Sequence, residues 1–159
     1  MDSLSREFGR RFYAWLLDHG QATSDRVWGE RKRALFADLS GDVLEIGAGT
    51  GANLAYLPPG VRWTGVEPNP WSVERAARRA ATLGVTASFA TTRAEHLPAD
   101  DGTFAAVICT LVLCSVRDPA AVLAEARRVL RPGGRLVFIE HVAAPTNTDR
   151  KSTRLNSSH

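Results

Sequence analysis

The stretch Val-Leu-Glu-Ile-Gly-Ala-Gly-Thr-Gly, residues 43–51, decides the fold of this chain. Its apolar start predicts a β-strand, and Gly47, Gly49 and Gly51 follow that strand at alternate positions. A strand that turns sharply into a helix needs residues without a Cβ wherever a ligand approaches the backbone. Glu45, two positions before the first glycine, places a carboxylate beside such a ligand. The stretch therefore predicts a cofactor site that suits a cationic group better than a bare pyrophosphate.

The same glycines also fit a second class of site. Gly47, Gly49 and Ala52 satisfy the G-x-G-x-x-G/A dinucleotide fingerprint, and Glu67 lies about 20 residues further on, where a ribose-binding acid is expected. A nicotinamide oxidoreductase is therefore an alternative to be weighed on the residues downstream.

Strands and helices alternate after residue 41. Asn69 before Pro70 and Asp118 before Pro119 are typical helix starts, and apolar runs mark the strands. Continuous apolar strands between helices predict a Rossmann-like α/β fold: a doubly wound, mostly parallel sheet with helices on both faces. Ligands then bind beyond the carboxyl ends of the strands, at the switch point beside the first strand. About five strands are expected, at residues 43–46, 63–67, 86–90, 104–110 and 136–140.

The N-terminal 40 residues predict two helices. Phe8, Phe12, Trp15 and Leu16 share one face of a helix over residues 5–18 that stops at His19-Gly20. A second helix is expected from about Asp25 to Leu39, with Trp28, Leu35 and Phe36 on its apolar face. The simplest interpretation of the aromatic residues is core packing against the sheet.

Charge and composition exclude several classes of function. The 159 residues carry a net charge of +3, but the last ten contain three basic residues and no acid, so residues 1–149 are neutral. A neutral body does not attract nucleic acid over long range. The longest apolar run, residues 104–116, is too short to span a bilayer, and no signal peptide opens the chain. Cys109 and Cys114 are predicted to be reduced, buried thiols of a cytoplasmic protein, with no metal site.

Two downstream motifs separate the alternatives. Ala94-Glu95-His96-Leu97-Pro98 follows the third strand, and Leu130-Arg131-Pro132-Gly133-Gly134 precedes the fifth. Together with Glu45-x-Gly47-x-Gly49-x-Gly51, these motifs resemble the class I S-adenosylmethionine-dependent methyltransferases over roughly residues 30–144. The resemblance implies the cofactor S-adenosylmethionine and makes an oxidoreductase the weaker alternative.

The resemblance also assigns roles to individual residues. It implies that Gly47, Ala48, Gly49 and Gly51 bring backbone amides to the methionine carboxylate, while Glu45 orients the ammonium group. Glu67 accepts from the ribose hydroxyls, a pairing that requires an acid. The remaining cofactor contacts are implied for Pro68, Asn69, Ala94, Glu95 and Thr110. Arg93 departs from the aspartate common at its position, so the adenine contact must come from the loop backbone or Glu95.

The closest likeness within that superfamily is to the methyltransferase-like protein seven group, the alkyl thiol methyltransferases. It is carried by Glu67-Pro68-Asn69-Pro70, by residues 109–116 and by Glu140-His141-Val142-Ala143. It implies a small, lipophilic thiol as the methyl acceptor. His141 is the first candidate for a general base and Glu140 the second. Leu111, Leu113 and Cys114 are expected to line the acceptor pocket, with plain core packing as the alternative.

The family pattern further suggests how the chain is divided. Residues 1–40 would form a helical cap that shields the cofactor, with Tyr13 the best candidate to touch it, and residues 41–144 the cofactor-binding core. Family members continue with a helix and two more strands, which the polar residues 145–159 do not provide. Residues 150–159 also resemble translated sequencing adapter. We therefore expect a C-terminally truncated domain without a membrane anchor, and a non-catalytic fragment remains the alternative to an active enzyme.

Overall fold

The computed structural model describes residues 3–140, without the side chains of residues 3–6 and 21–24. Five parallel strands form one sheet in the order β3-β2-β1-β4-β5. The predicted Rossmann-like architecture is confirmed. The strand order reverses between β1 and β4, which puts the topological switch point beside β1 as expected. The predicted base at His141 and the tail at residues 145–159 lie outside the described residues.

Four of the five strands have nearly the predicted bounds. The strands are β1 (Asp42–Ile46), β2 (Arg62–Val66), β3 (Thr86–Ala90), β4 (Phe104–Thr110) and β5 (Leu130–Ile139). The fifth was expected to begin at Leu136, but it follows directly on the preceding helix. The Gly133-Gly134 turn is therefore part of an irregular start of β5, where the pairing register with β4 shifts between Phe104 and Ala106.

Helices cover both faces of the sheet. They are α1 (Ser3–Phe36), α2 (Pro70–Leu83) and α3 (Pro119–Val129), with one 3₁₀ turn, η1 (Leu54–Tyr56), where a short helix was expected. Side chains of α3 pack with Leu44 and Val107 on one face. Residues of α1, η1 and α2 pack with Val43 and Trp63 on the other. Alternate residues of β1 thus enter different cores, which is the pattern of a strand buried on both sides.

The starts of α2 and α3 follow the predicted capping chemistry. The Asn69 side chain accepts a hydrogen bond from the Trp71 amide, and Asp118 accepts one from the Ala121 amide, each ahead of a proline at the first helical position. On α2 the buried residues are Ser72, Ala76 and Ala80.

The N-terminal helix differs from the prediction. α1 runs without a break through His19-Gly20, and Phe8, Phe12, Trp15 and Leu16 are exposed rather than packed on the sheet. Among the described side chains of that half, Ala14 is buried. The physical reason is that α2 presents arginines to α1: Asp18 binds Arg75 and Arg79, both at 2.8 Å. The C-terminal half agrees with the prediction, since Trp28, Phe36 and Leu39 are buried. Among the described residues no helix is apolar for long enough to cross a membrane.

Candidate functional site

Glu45 is buried at the end of β1 and fully engaged in hydrogen bonds. Its Oε1 accepts from Asn53 Nδ2 at 2.8 Å, and its Oε2 accepts from the indole nitrogen of Trp63 at 2.9 Å. Asn53 Nδ2 also donates to Thr110 Oγ1 at 3.0 Å. The carboxamide of Asn53 therefore ties the ends of β1 and β4 together at the switch point. Its Oδ1 is buried and has no partner among the described residues, which leaves one acceptor unused at this position.

The surroundings of Glu45 bring its pKa close to neutral pH. Burial raises the pKa of Glu45 from its ordinary 4.5 to about 7, and the hydrogen bonds from Trp63 and Asn53 and the charge of Lys32 only partly oppose this. A carboxylate that titrates near neutrality in a protein interior is a common sign of a functional site. Glu45 was expected to stand beside a cationic ligand group, and such a group would favour its ionised form.

The glycine-rich loop is shaped differently at each glycine. A Cβ on Gly47 would lie 2.3 Å from Val112 Cγ2, and one on Gly51 would lie 2.6 Å from Leu54 Cδ1. At Gly49, with φ of 52°, the nearest neighbour of such a Cβ is Leu17 Cδ1 at 3.8 Å. Gly47 and Gly51 therefore permit close packing of protein on protein, whereas a Cβ on Gly49 would make only ordinary van der Waals contact with Leu17. Of the three glycines, Gly49 is therefore the one that is not required by a close contact with another side chain, although its positive φ still favours glycine.

The amides of this loop already have partners. The amides of Gly47 and Ala48 both donate to the Val66 carbonyl, at 2.9 and 3.1 Å, and the Gly51 amide donates to the Ala48 carbonyl at 2.9 Å. The Gly49 amide donates to Glu67 Oε2 at 3.1 Å. The implied contact of these amides with a ligand carboxylate remains a prediction.

Glu67 stands at the tip of β2 and lines an open cavity of about 640 Å³. Besides the Gly49 amide, it accepts the Asn69 amide at Oε1, at 2.9 Å. Burial raises the pKa of Glu67, while these two amide hydrogen bonds lower it. Because both oxygens are held by backbone groups, the carboxylate is fixed in orientation before any ligand arrives. The same cavity is lined by Gly47, Pro68, Asn69, Ala94 and Glu95, all predicted cofactor residues, and by Tyr13 of α1.

The loop that carries Ala94 and Glu95 is held by one arginine. Arg128 of α3 donates to the carbonyls of Ala99 and Leu97, at 2.8 and 3.1 Å, and to Glu125 at 2.7 Å. Glu125 in turn accepts the Leu97 amide at 2.8 Å, and the hydrogen bond from Arg128 lowers the pKa of Glu125 to about 2. Glu95 accepts the Arg117 amide at 3.2 Å, which links this loop to the segment after β4.

The segment after β4 forms the remaining wall. Leu111 has a positive φ of 54°, and the following amides of Val112 and Leu113 both donate to Glu140 Oε1, at 2.8 and 2.9 Å. Glu140 is buried, and its Oε2 has no partner among the described residues. Val112, Ser115 and Val116 line the cavity. The carboxylate of Glu140 therefore holds the backbone that presents Val112 to the glycine-rich loop.

The structure does not bring the predicted acceptor residues to the described cavity. Leu111 and Leu113 are half-buried, and neither they nor Cys114 belong to the lining of the cavity in the described part of the chain. The expectation of two buried thiols is wrong for Cys114, which is exposed. Cys109 is buried, and burial raises the pKa of its thiol to about 12. The acceptor role of Leu111, Leu113 and Cys114 stays a prediction.

Sequence reasoning missed Asn53, Trp63 and Lys32. The signal for Asn53 was available: a buried Glu45 requires donors, and an amide two residues after the glycine-rich loop can supply one. No comparable signal points to Trp63, because its partner depends on the register of β2 against β1, in which Trp63 lies opposite Val43. No local sequence signal points to the burial of Lys32 either, which is 2% exposed.

Comparisons with known proteins agree with this geometry. Human thiol S-methyltransferase TMT1B is 38% identical over 147 residues, which are 86% of this chain and 60% of that protein. Human thiol S-methyltransferase TMT1A is 36% identical over 151 residues, 87% of this chain and 62% of that protein. Geranyl diphosphate methyltransferase, solved in complex with SAM, superimposes with a TM-score of 0.64 at 25% identity over 72% of this chain and 48% of that one.

The chain spans about 60% of the length of the curated relatives it matches. The family described as the methyltransferase domain matches residues 44–138, which begin within β1 and end within β5. The resemblance noted in the sequence is thereby confirmed, and the chain belongs to the methyltransferase domain family.

Proposed function

We propose that this chain transfers a methyl group from S-adenosylmethionine to a small, lipophilic thiol. The observation that carries the proposal is the placement of Glu67: a half-buried carboxylate, fixed by two backbone amides, at the edge of a cavity beside Gly49. A carboxylate in that position can accept both hydroxyls of a ribose. Gly47, which lines the same cavity, and the buried Glu45 at the end of β1 suit the amino-acid end of the same cofactor.

S-adenosylmethionine, when bound, would supply an electrophilic methyl group whose transfer to a thiolate sulfur would release S-adenosylhomocysteine. The protein's residues then have to bind and orient the cofactor and the acceptor, and they have to exclude water. The Asn53 carboxamide fixes Glu45 relative to Thr110, and Glu140 fixes Val112 on the acceptor side. Alignment of this kind can supply about 7–11 kcal/mol when the geometry is ideal. Because a thiol is partly ionised near neutrality, a strong base such as His141 would assist without being indispensable.

The thiol acceptor is supported by the names of the human relatives, thiol S-methyltransferases TMT1B and TMT1A. Two unpaired cysteines, Cys109 and Cys114, suit a reducing compartment, so we propose the cytoplasm as the site of action. A non-catalytic role for the chain is the alternative that the following experiment also tests.

The acceptor class is tested by a matched panel of butanethiol, butanol and butylamine. Each is incubated with the chain and S-adenosylmethionine, and the methylated product and S-adenosylhomocysteine are measured by mass spectrometry. We expect product with the thiol alone. Product with butylamine or butanol but not with butanethiol would contradict the thiol assignment. Cofactor binding without any product would favour the non-catalytic alternative.

A further inference from the structure

The N-terminal half of α1, residues 7–19, lies over the candidate site with little apolar burial. Arg10 and Tyr13 line the same cavity as Glu67. Among the described side chains of this half of α1, Ala14 is buried, whereas the large apolar side chains are between 37% and 73% exposed. Apolar burial is normally the main force that docks a helix. This half of α1 is therefore held in place chiefly by polar contacts.

Asn69 is the residue that joins α1 to the candidate site. Its backbone amide donates to Glu67 Oε1 at 2.9 Å, and its side-chain oxygen accepts the Trp71 amide at 3.2 Å, which caps α2. Its side-chain nitrogen donates to the Arg10 carbonyl at 3.0 Å. One residue, 8% exposed, therefore orients the carboxylate of Glu67, starts α2 and fastens α1 at the edge of the cavity.

Two further contacts fasten the same half of α1 to α2. Asp18 binds Arg75 and Arg79, both at 2.8 Å, and the Arg11 guanidinium lies 4.5 Å from the centroid of the Trp71 ring. These side chains do not belong to the lining of the described cavity. The ion pairs are partly exposed, and such pairs stabilise little. The docked position of α1 therefore depends on a few weak contacts, and a ligand that touches α1 can shift it.

We propose that Asn69 is a positioning residue that holds α1 over the bound cofactor. The inference rests on the proposed function and deepens it, because it names the residue through which α1 closes the site. A ligand that contacts Glu67 and α1 together favours the docked position of α1, and the docked α1 in turn slows the release of the ligand. Asn69 carries this coupling, since its side chain binds α1 while its backbone amide holds Glu67.

The test compares the unaltered chain with Asn69→Ser and Asn69→Asp. Both variants keep a side-chain oxygen that caps α2, and both keep the backbone amide that orients Glu67. An ionised aspartate has no donor, and a serine hydroxyl ends one bond short of the asparagine nitrogen, so both variants lose the hydrogen bond to the Arg10 carbonyl. We expect S-adenosylhomocysteine to bind about two- to tenfold more weakly, mostly through faster dissociation. Calorimetry measures the affinity, and surface plasmon resonance measures the rate.

Hydrogen exchange followed by mass spectrometry separates closure of α1 from a direct contact between Asn69 and the ligand. In the unaltered chain, S-adenosylhomocysteine should slow the exchange of the amides of residues 7–19, and in both Asn69 variants this slowing should be smaller. Asp18→Ala alters no residue of the cavity lining and should give the same two effects, because it releases the same half of α1. Glu74→Ala is the matched control, since it removes an ion pair to Arg78 within α2 and should change neither quantity.

Weaker binding in both Asn69 variants with unchanged exchange of α1 would overturn the inference, because Asn69 would then act on the ligand directly. Faster exchange of α1 in Asp18→Ala at full affinity would also overturn it, because closure of α1 would not retain the ligand. Circular dichroism verifies the fold, and if one Asn69 variant does not fold, the other is assessed by the same criteria. Failure of the unaltered chain to bind S-adenosylhomocysteine would overturn the proposed function as well, whereas binding without the effects on α1 overturns this inference alone.

Discussion

Glu67 and Glu45 have different tasks although both are acids at strand ends. Glu67 lines the cavity and is oriented by two backbone amides, so it is ready to accept hydrogen bonds from a ligand. Glu45 is enclosed, and its two oxygens are already occupied by Asn53 and Trp63. We therefore expect Glu67 to contact the ligand directly, whereas Glu45 lies enclosed at the end of β1.

Replacing Glu67 should remove cofactor binding while the fold persists. Hydrogen bonds to charged groups contribute about 1.5–3 kcal/mol each, so Glu67→Ala should weaken S-adenosylhomocysteine binding at least about tenfold. Calorimetry measures the loss, and circular dichroism verifies the fold. Asp38→Ala removes an exposed carboxylate at the end of α1 and is the matched control. Unchanged affinity in Glu67→Ala would remove this residue from the site.

Glu45 should make the unliganded protein less stable as the pH rises. Its pKa is raised from 4.5 to about 7 by folding, so the folded state binds the proton more tightly. Its contribution to stability is then fully present below pH 4.5 and is lost as the pH rises through 7. The loss is about 2–4 kcal/mol for a shift of this size. Urea unfolding at pH 5 and pH 8 measures it.

Glu45→Gln is the control, since it cannot titrate. Its free energy of unfolding should lose this part of the pH dependence, whatever its absolute stability. A pH dependence equal to that of the unaltered chain would show that another group is responsible.

At the scale of the elements, four of the five strands were predictable, whereas the start of β5 and the continuity of α1 were not. Apolar runs that end before Gly47 and Asn69 predict the bounds of β1 and β2 within a residue or two. The reason is that a strand buried on both faces consists mostly of apolar residues. Gly20 was interpreted as the end of a helix. A glycine inside a helix costs only about 1 kcal/mol, and the His19 side chain hydrogen-bonds the Trp15 carbonyl at 2.9 Å across this point.

The candidate site, like the fold, was predictable only in part. The glycine-rich loop and Glu67 carry local signals, and the cavity gathers most of the predicted cofactor residues, including Pro68, Ala94 and Glu95. The partners of Glu45 come instead from three other elements. The hydrogen bond that the Val112 amide donates to Glu140 joins residues that are 28 positions apart. Such pairs depend on strand order and register, which local periodicity does not contain.

Arg128 joins a helix to a loop of the candidate site, so its replacement tests whether that loop depends on the helix. It links α3 to the loop at residues 97–101, which continues from Ala94 and Glu95. Arg128→Ala removes the guanidinium that donates to the Leu97 and Ala99 carbonyls and to Glu125, and we expect a loss of about 1–3 kcal/mol in unfolding free energy. Cofactor affinity should fall together with stability. Arg127→Ala, an exposed neighbour on the same helix, is the control and should change neither quantity measurably.

If Arg128→Ala loses stability but keeps full cofactor affinity, the loop does not depend on this arginine for its binding conformation. The adenine contact would then have to be assigned to another part of the cavity wall.

For the whole molecule, sheet topology brings the site together. The carboxyl ends of β1, β2 and β4 supply Glu45, Glu67 and Thr110, and the two cores on either side of the sheet hold those ends in place. α1 closes one side through Asn69, whose side chain donates to the Arg10 carbonyl at 3.0 Å, and through Tyr13, which lines the cavity. Membership of the methyltransferase domain family and the geometry of the site lead to the same cofactor.

The most direct measurement is a calorimetric titration of the chain with S-adenosylhomocysteine and, separately, with NAD. Both ligands contain an adenosine that Glu67 could hold, but only the first has an ammonium group to place near Glu45. The account predicts saturable binding of S-adenosylhomocysteine to one site, and no binding of NAD at the same concentrations. Saturable binding of NAD with no heat from S-adenosylhomocysteine would contradict it.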